Sequence, residues 1–99
     1  MEPYEILEQD FKVLADKTRL KVLHRIRQGE QCGCDLIERL DIKQPTLSHH
    51  LRMLSKHGFI VGTKEKNRIC YKVNQEKINE ICTLINYLIK EPINCESTE

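Results

Sequence analysis

Cys32 and Cys34 stand one residue apart in the run Glu30-Gln31-Cys32-Gly33-Cys34-Asp35-Leu36. Thiolates are soft donors, and a close pair offers a soft ion two sulfurs at once. Residues two apart do not face each other on a regular helix. Chelation by both thiols therefore needs a loop or an unwound turn. The plainer alternative is a pair of small helix residues with no special chemistry. Cys70, Cys82 and Cys95 bring the cysteine count to five, an odd number that argues against a closed disulfide framework. A structural zinc site wants four Cys/His ligands, usually in two pairs. His24, His49, His50 and His57 show no paired spacing with a second C-x-C. Cys82 falls on an apolar stripe, which points to core or dimer packing. Cys70 alternates with Ile69 and Tyr71, so it is expected to face away from the core as an idle thiol.

The second chemistry is electrostatic. Of 99 residues with a formal charge of +1, positions 43–72 hold seven basic side chains against Glu65 alone, a net +6. Positions 1–42 are net −2 and positions 73–99 net −3. A basic block between acidic flanks is the footprint of a polyanion partner, against the bland alternative of a solvated charged face. No apolar run approaches the ~20 residues that span a bilayer. The acidic start Met1-Glu2-Pro3-Tyr4-Glu5 lacks the layout of a signal peptide. The expected location is therefore the cytosol, where thiols stay reduced.

Stepping through the chain, Pro3 suits a first helical turn, and Ile6, Leu7, Phe11 and Leu14 recur at helical spacing, predicting a helix near 3–14. Asp16 is a good N-cap for a second helix near 17–28, with Leu20, Val22, Leu23 and Ile26 apolar and Gly29 as its stop. A short helix near 33–40 uses Leu36, Ile37 and Leu40. After Asp41-Ile42-Lys43, a fourth helix starts at Gln44-Pro45 and runs to His57 before Gly58, with Leu47, Leu51 and Leu54 buried. The period then changes. Residues 59–64 and 69–74 read as strands around the polar turn Glu65-Lys66-Asn67-Arg68. Asn74 is placed to cap a last helix near 75–90, which Pro92 ends. The order α-α-α-α-β-β-α is mainly α with a β-hairpin wing: a winged helix-turn-helix over 1–91 with a polar tail over 92–99. The stripe Ile78, Ile81, Cys82, Ile85, Leu88 and Ile89 is wide for one helix of so small a domain, which predicts a homodimer.

With Leu47, Leu51 and Leu54 inward, the fourth helix turns Gln44, Thr46, Ser48, His49 and Arg52 outward. These side chains hydrogen-bond base edges or phosphates. Lys56, and Lys64, Lys66 and Arg68 on the wing, suit phosphate contacts.

Gln44-Pro45-Thr46-Leu47-Ser48-His49-His50-Leu51, followed by Leu54 and Gly58-Phe59-Ile60, resembles the recognition helix of the ArsR/SmtB metalloregulatory repressors. Leu14-Ala15-Asp16-Lys17-Thr18-Arg19-Leu20 resembles the start of their second helix, and Glu30 to Leu36 the cysteine-bearing third helix of the arsenic-responsive branch. Lys43 departs from the small hydroxyl cap of many relatives. The resemblance covers roughly residues 10–90 and implies a homodimer that binds operator DNA when empty. It also implies release by trivalent arsenic or antimony on Cys32 and Cys34, with no cofactor needed for DNA binding. Some such sensors carry a third cysteine one turn after the pair. Ile37 and Glu38 stand there, so Cys95 in the tail becomes the candidate third thiol. The relatives' zinc site on the last helix uses Asp and His, which residues 75–90 lack, so no such site is expected. Alternative signals are cadmium, lead, or thiol oxidation and persulfides. A thiol metal carrier is a further alternative, and no feature points to an enzyme.

Overall fold

The computed structural model describes residues 2–29 and 32–91. They form α1 (Pro3–Leu14), α2 (Lys17–Arg27), α3 (Gly33–Leu40), α4 (Gln44–Lys56), β1 (Ile60–Glu65), β2 (Arg68–Val73) and α5 (Gln75–Leu88), in the expected order. Cys95 and the rest of the proposed tail lie outside the described residues. Among the described residues no helix is long and apolar enough to cross a membrane.

Local chemistry sets the helix ends. The Glu2 carboxylate accepts the Tyr4 N–H at 3.2 Å, ahead of Pro3 in the first turn of α1. Asp16 accepts the Arg19 N–H at 3.1 Å and caps α2. That bond is the main reason its carboxyl lies below its usual pKa. Lysine carries no acceptor, so α4 begins at Lys43 without a side-chain cap. Its far end closes as a Schellman motif. Gly58 takes φ +82, Phe59 N–H donates to the Leu54 carbonyl at 2.9 Å, and Gly58 N–H to Ser55 at 3.1 Å.

That closure shifts the hairpin by one residue from the expected 59–64 and 69–74. Phe59 completes α4, so β1 starts at Ile60, paired with Val73, and the ladder ends at Glu65 opposite Arg68. The turn is the two residues Lys66 and Asn67, with Lys66 at φ +57. Gly62 faces Tyr71 across the ladder, and a Cβ there would lie 3.0 Å from the ring. Asn74 precedes α5 as expected but does not cap it. Its amide donates to the Gly58 carbonyl at 3.0 Å, tying the start of α5 to the end of α4.

The core gathers Leu7, Val13, Val22, Ile26, Leu36, Leu47, Leu51, Leu54, Phe59, Ile60 and Ile81. α1 turns Leu7, Asp10 and Val13 inward rather than the expected Phe11, which is 42% exposed. Leu20 of α2 is likewise half exposed. The reason is that α1 packs on α5, where an ion pair sets the facing side. Lys77 Nζ lies 3.0 Å from Asp10 Oδ1, with Asp10 buried and the ammonium 5.5 Å from the centre of the Phe59 ring. Asp10 Oδ2 has no hydrogen-bond partner among the described residues.

Breaking a buried pair from one side leaves an uncompensated charge, which costs 3–5 kcal/mol in comparable cases. Lys77 keeps some water contact, so Lys77→Met should cost about 3 kcal/mol, the lower end of that range. The double substitution Asp10→Leu/Lys77→Met should recover most of the loss. Urea unfolding at one fixed protein concentration checks this, and equal loss in the single and double variants would contradict it.

Candidate nucleic-acid interface and thiol site

The spacing of Leu47, Leu51 and Leu54 (2%, 8% and 0% exposed) fixes the roll of α4. It leaves Gln44, Thr46, His49, Arg52 and Lys56 exposed and Ser48 half-buried. Lys64, Lys66 and Arg68 are all exposed on the wing beside them. Every residue expected to meet nucleic acid thus lies on α4 or on the hairpin, and all but the half-buried Ser48 are exposed. The turn from α3 to α4 passes through Asp41 at φ +53, a left-handed residue that reverses the chain in three positions.

A polar contact missed in the sequence also holds α4. His50 is 7% exposed, and its Nδ1 accepts from Arg19 Nε at 3.1 Å. Arg19 Nη1 donates to the Val13 carbonyl at 3.0 Å. One guanidinium therefore links the ends of α1 and α2 to the inner face of α4. Burial is the largest influence on the His50 pKa and pulls it down, Asp16 opposes that, and Arg19 and His49 add to it. A neutral ring is what the contact requires, because a protonated Nδ1 is a donor and cannot accept.

The thiols are arranged differently from expectation. Cys32 precedes α3 in extended conformation and is buried at 7% exposure, whereas Cys34 in the first turn is exposed. The partner of Cys32 is Cys70: their Sγ atoms lie 3.5 Å apart. Cys70 therefore has a sulfur partner that strand alternation does not reveal. Cys32 bridges to the edge of β2 that β1 leaves free, directly opposite Cys70. The Cys70 thiol also reaches Glu65 Oε1 at 3.8 Å. Its pKa is raised, chiefly by the hydrogen bond with Cys32, then by desolvation. Cys34 lines a separate cleft of about 400 Å³ with Ile69 and Tyr71, which alternate with Cys70 along β2. The same cleft is lined by Gln44 and Ser48 of α4 and by Asn67 and Arg68 of the wing. Among the described residues no three His, Cys, Asp or Glu side chains converge to hold a metal. The two-sulfur pair fits a soft thiophilic centre.

On α5, Ile81 is buried in the protomer's own core, and Ile78, Ile85 and Leu88 are partly buried against it. Cys82 and Ile89 are exposed. Tyr4, Leu7, Phe11, Leu88 and Ile89 line an apolar surface cleft of about 610 Å³ between α1 and α5. Tyr87 is 78% exposed nearby on α5.

Comparison with known proteins places these features in a family. The profile described as "Bacterial regulatory protein, arsR family" matches residues 16–61. The arsenical resistance operon repressor of Staphylococcus aureus is 34% identical over 85 residues, covering 86% of this chain and 82% of the relative. An ArsR-like transcriptional regulator from Rhodococcus sp. RHA1 superposes with a TM-score of 0.79 at 24% identity, covering 86% of this chain and 80% of that one. A homodimeric winged helix-turn-helix domain from Mycobacterium bovis, solved in solution, gives 0.70 at 21% identity, covering 97% and 89%. The fold is a winged helix-turn-helix.

The His50 contact generates a pH dependence. The folded-state pKa of His50 lies below its unfolded value, so the unfolded chain takes up the proton first as pH falls. Stability should be full above about pH 6.5, the ordinary histidine value, and should decline as pH drops through and below it. Asp16, depressed rather than raised by its cap, contributes a loss only at lower pH, in the carboxylate range. Denaturation midpoints between pH 7.5 and pH 5 check this. His50→Gln, which keeps an acceptor without titrating there, should flatten the profile.

Proposed function

The chain belongs to the ArsR family of bacterial regulators, DNA-binding transcription factors rather than enzymes, and on that premise we propose an operator-binding repressor released by trivalent arsenic or antimony. DNA binding needs no cofactor in this reading. Gln44, Thr46, Ser48 and His49 read base edges from the N-terminal part of α4. Arg52, Lys56, Lys64, Lys66 and Arg68 neutralise phosphates. The protein acts as a homodimer in the cytosol, pairing the apolar face of α1 and α5 with its copy. Its two α4 helices then meet half-sites about 34–36 Å apart, or a multiple of that, on one face of the duplex.

One observation carries the signal side of the proposal. Cys32, at the start of α3, touches Cys70 on the wing, and α3 leads directly into α4. A soft ligand taken up there strains the connection between the two DNA-contacting elements. The S. aureus relative, named an arsenical resistance operon repressor, supports arsenic as the signal. Because binding is linked, the inducer must prefer the free protein by the same factor by which it weakens operator affinity.

Lys66→Ala and Arg68→Ala should weaken binding to every duplex and each reduce the salt slope by about one phosphate contact. Ser48→Ala or His49→Ala should instead change discrimination among operator variants. Fluorescence anisotropy across salt concentrations and operator sequences separates the two classes, and identical behaviour would refute the division of labour. Cys32→Ser should leave operator affinity nearly intact and abolish release by arsenite. Release at unchanged arsenite concentrations would move the sensing site elsewhere.

A further inference from the structure

We propose that Cys70, on the wing, is a thiolate ligand of the inducer together with Cys32, so that binding clips the wing to the N-terminal end of α3. The inference rests on the arsenic reading above and names a ligand that the sequence pattern of Cys32 and Cys34 does not contain. Its basis is geometry. The two sulfurs lie 3.5 Å apart, on residues that stand opposite each other across the free edge of β2. A centre bonded to both at ~2.3 Å, the usual soft-metal thiolate distance, would hold them at about 100°. That angle is below tetrahedral, as a three-coordinate pyramidal centre with a lone pair requires. Cys34 is exposed and lines the cleft with Ile69 and Tyr71, which alternate with Cys70 along β2. The preformed site therefore offers two sulfurs, and the third valence is left to a hydroxyl or an organic substituent. The fitting ligand class is a trivalent arsenical that two thiols satisfy.

The capture step is a condensation. Arsenous acid, As(OH)3, meets the two thiols. Two S–H and two As–O bonds break, two As–S bonds and two O–H bonds form, and two waters leave. Arsenic stays trivalent and no electrons are transferred, so no oxidant is needed. Cys70 is half-buried and Cys32 is buried behind it, so Cys70 is the open side of the clip. The consequence reaches the DNA-facing surface directly. Cys70 is two residues from Arg68 on the same strand, and Lys64 and Lys66 belong to the same hairpin. Two covalent As–S bonds in place of a sulfur–sulfur contact lock the wing to the start of α3, the helix that leads into α4, and remove its freedom to adjust to the duplex.

The test uses the full chain without DNA and phenylarsine oxide, a probe that needs two thiols. After saturation, free cysteines are alkylated and mapped by mass spectrometry. Cys32 and Cys70 should be protected together, with Cys34 alkylated. Loss of an outer-shell partner already costs roughly 10–100-fold in metal affinity, so losing a ligand through Cys70→Ser or Cys70→Ala should cost about 100-fold. Cys34→Ser should stay near the unaltered protein. Alkylation of Cys70 at saturation, or unchanged affinity in folded Cys70→Ser and Cys70→Ala, would overturn the proposal. Protection of Cys32 and Cys70 without release from operator DNA would leave the clip standing and remove the arsenic-induction reading instead.

Discussion

The orientation of α4 about its own axis is the constraint on which the rest depends. Helical periodicity lets only one side of a helix be buried, and Leu47, Leu51 and Leu54 take that side against Phe59 and Ile26. The polar side chains between them then have one direction available, outward. A purely apolar face would tolerate small rotations. The contact from Arg19 to His50 does not, because a buried ring nitrogen left without its donor costs free energy of the order of 1–3 kcal/mol. Apolar burial sets the face, and the hydrogen bond sets the angle.

Arg19 also ties the first two helices to α4. Its backbone is held by Asp16 at the start of α2, and its side chain reaches the end of α1 and the inner face of α4. At the other edge, Asn74 joins the end of α4 to the start of α5, and Lys77 joins α5 back to Asp10 of α1. These contacts close a ring of polar pins around a core of modest size. The wing stands partly outside that ring. It is a two-stranded ladder, marginal on its own, and among the described residues one edge of β2 is bridged by Cys32. The part of the proposed DNA-facing surface that lies outside these pins is thus the part that a thiol touches.

Charge is segregated along the chain, and much of the exposed apolar surface lies away from the basic part. The basic residues from Arg52 to Lys72 fall on α4 and the hairpin, and Lys43 immediately precedes α4. Tyr4, Phe11, Tyr87 and Ile89 are exposed on α1 and at the end of α5, whose sequences carry an acidic excess, while Leu20 on α2 and Val61 and Ile69 on the hairpin are also exposed. In the proposed homodimer a second copy of the chain would cover the α1–α5 face and leave α4 and the hairpin free for the duplex.

The sequence by itself determined the elements and their order. Caps, helix stops and the change of period from 3.6 to 2 are local signals, and Asp16, Gly29, Gly58 and the Lys66-Asn67 turn all stand where those signals put them. The outward face of α4 was legible for the same reason, since a stripe of leucines defines its own opposite side. Tertiary structure decided the pairings between residues far apart in the chain. Arg19 with His50, Asp10 with Lys77 and Cys32 with Cys70 are separated by 31, 67 and 38 positions, and no periodicity relates such positions. The turn to Leu7, Asp10 and Val13 on α1 was hidden because a buried aspartate reads as surface until its lysine is in place. Cys70 was hidden because strand alternation says which side a residue faces but not what waits there. Cys32, just before α3, supplied the answer by closing on the free edge of β2.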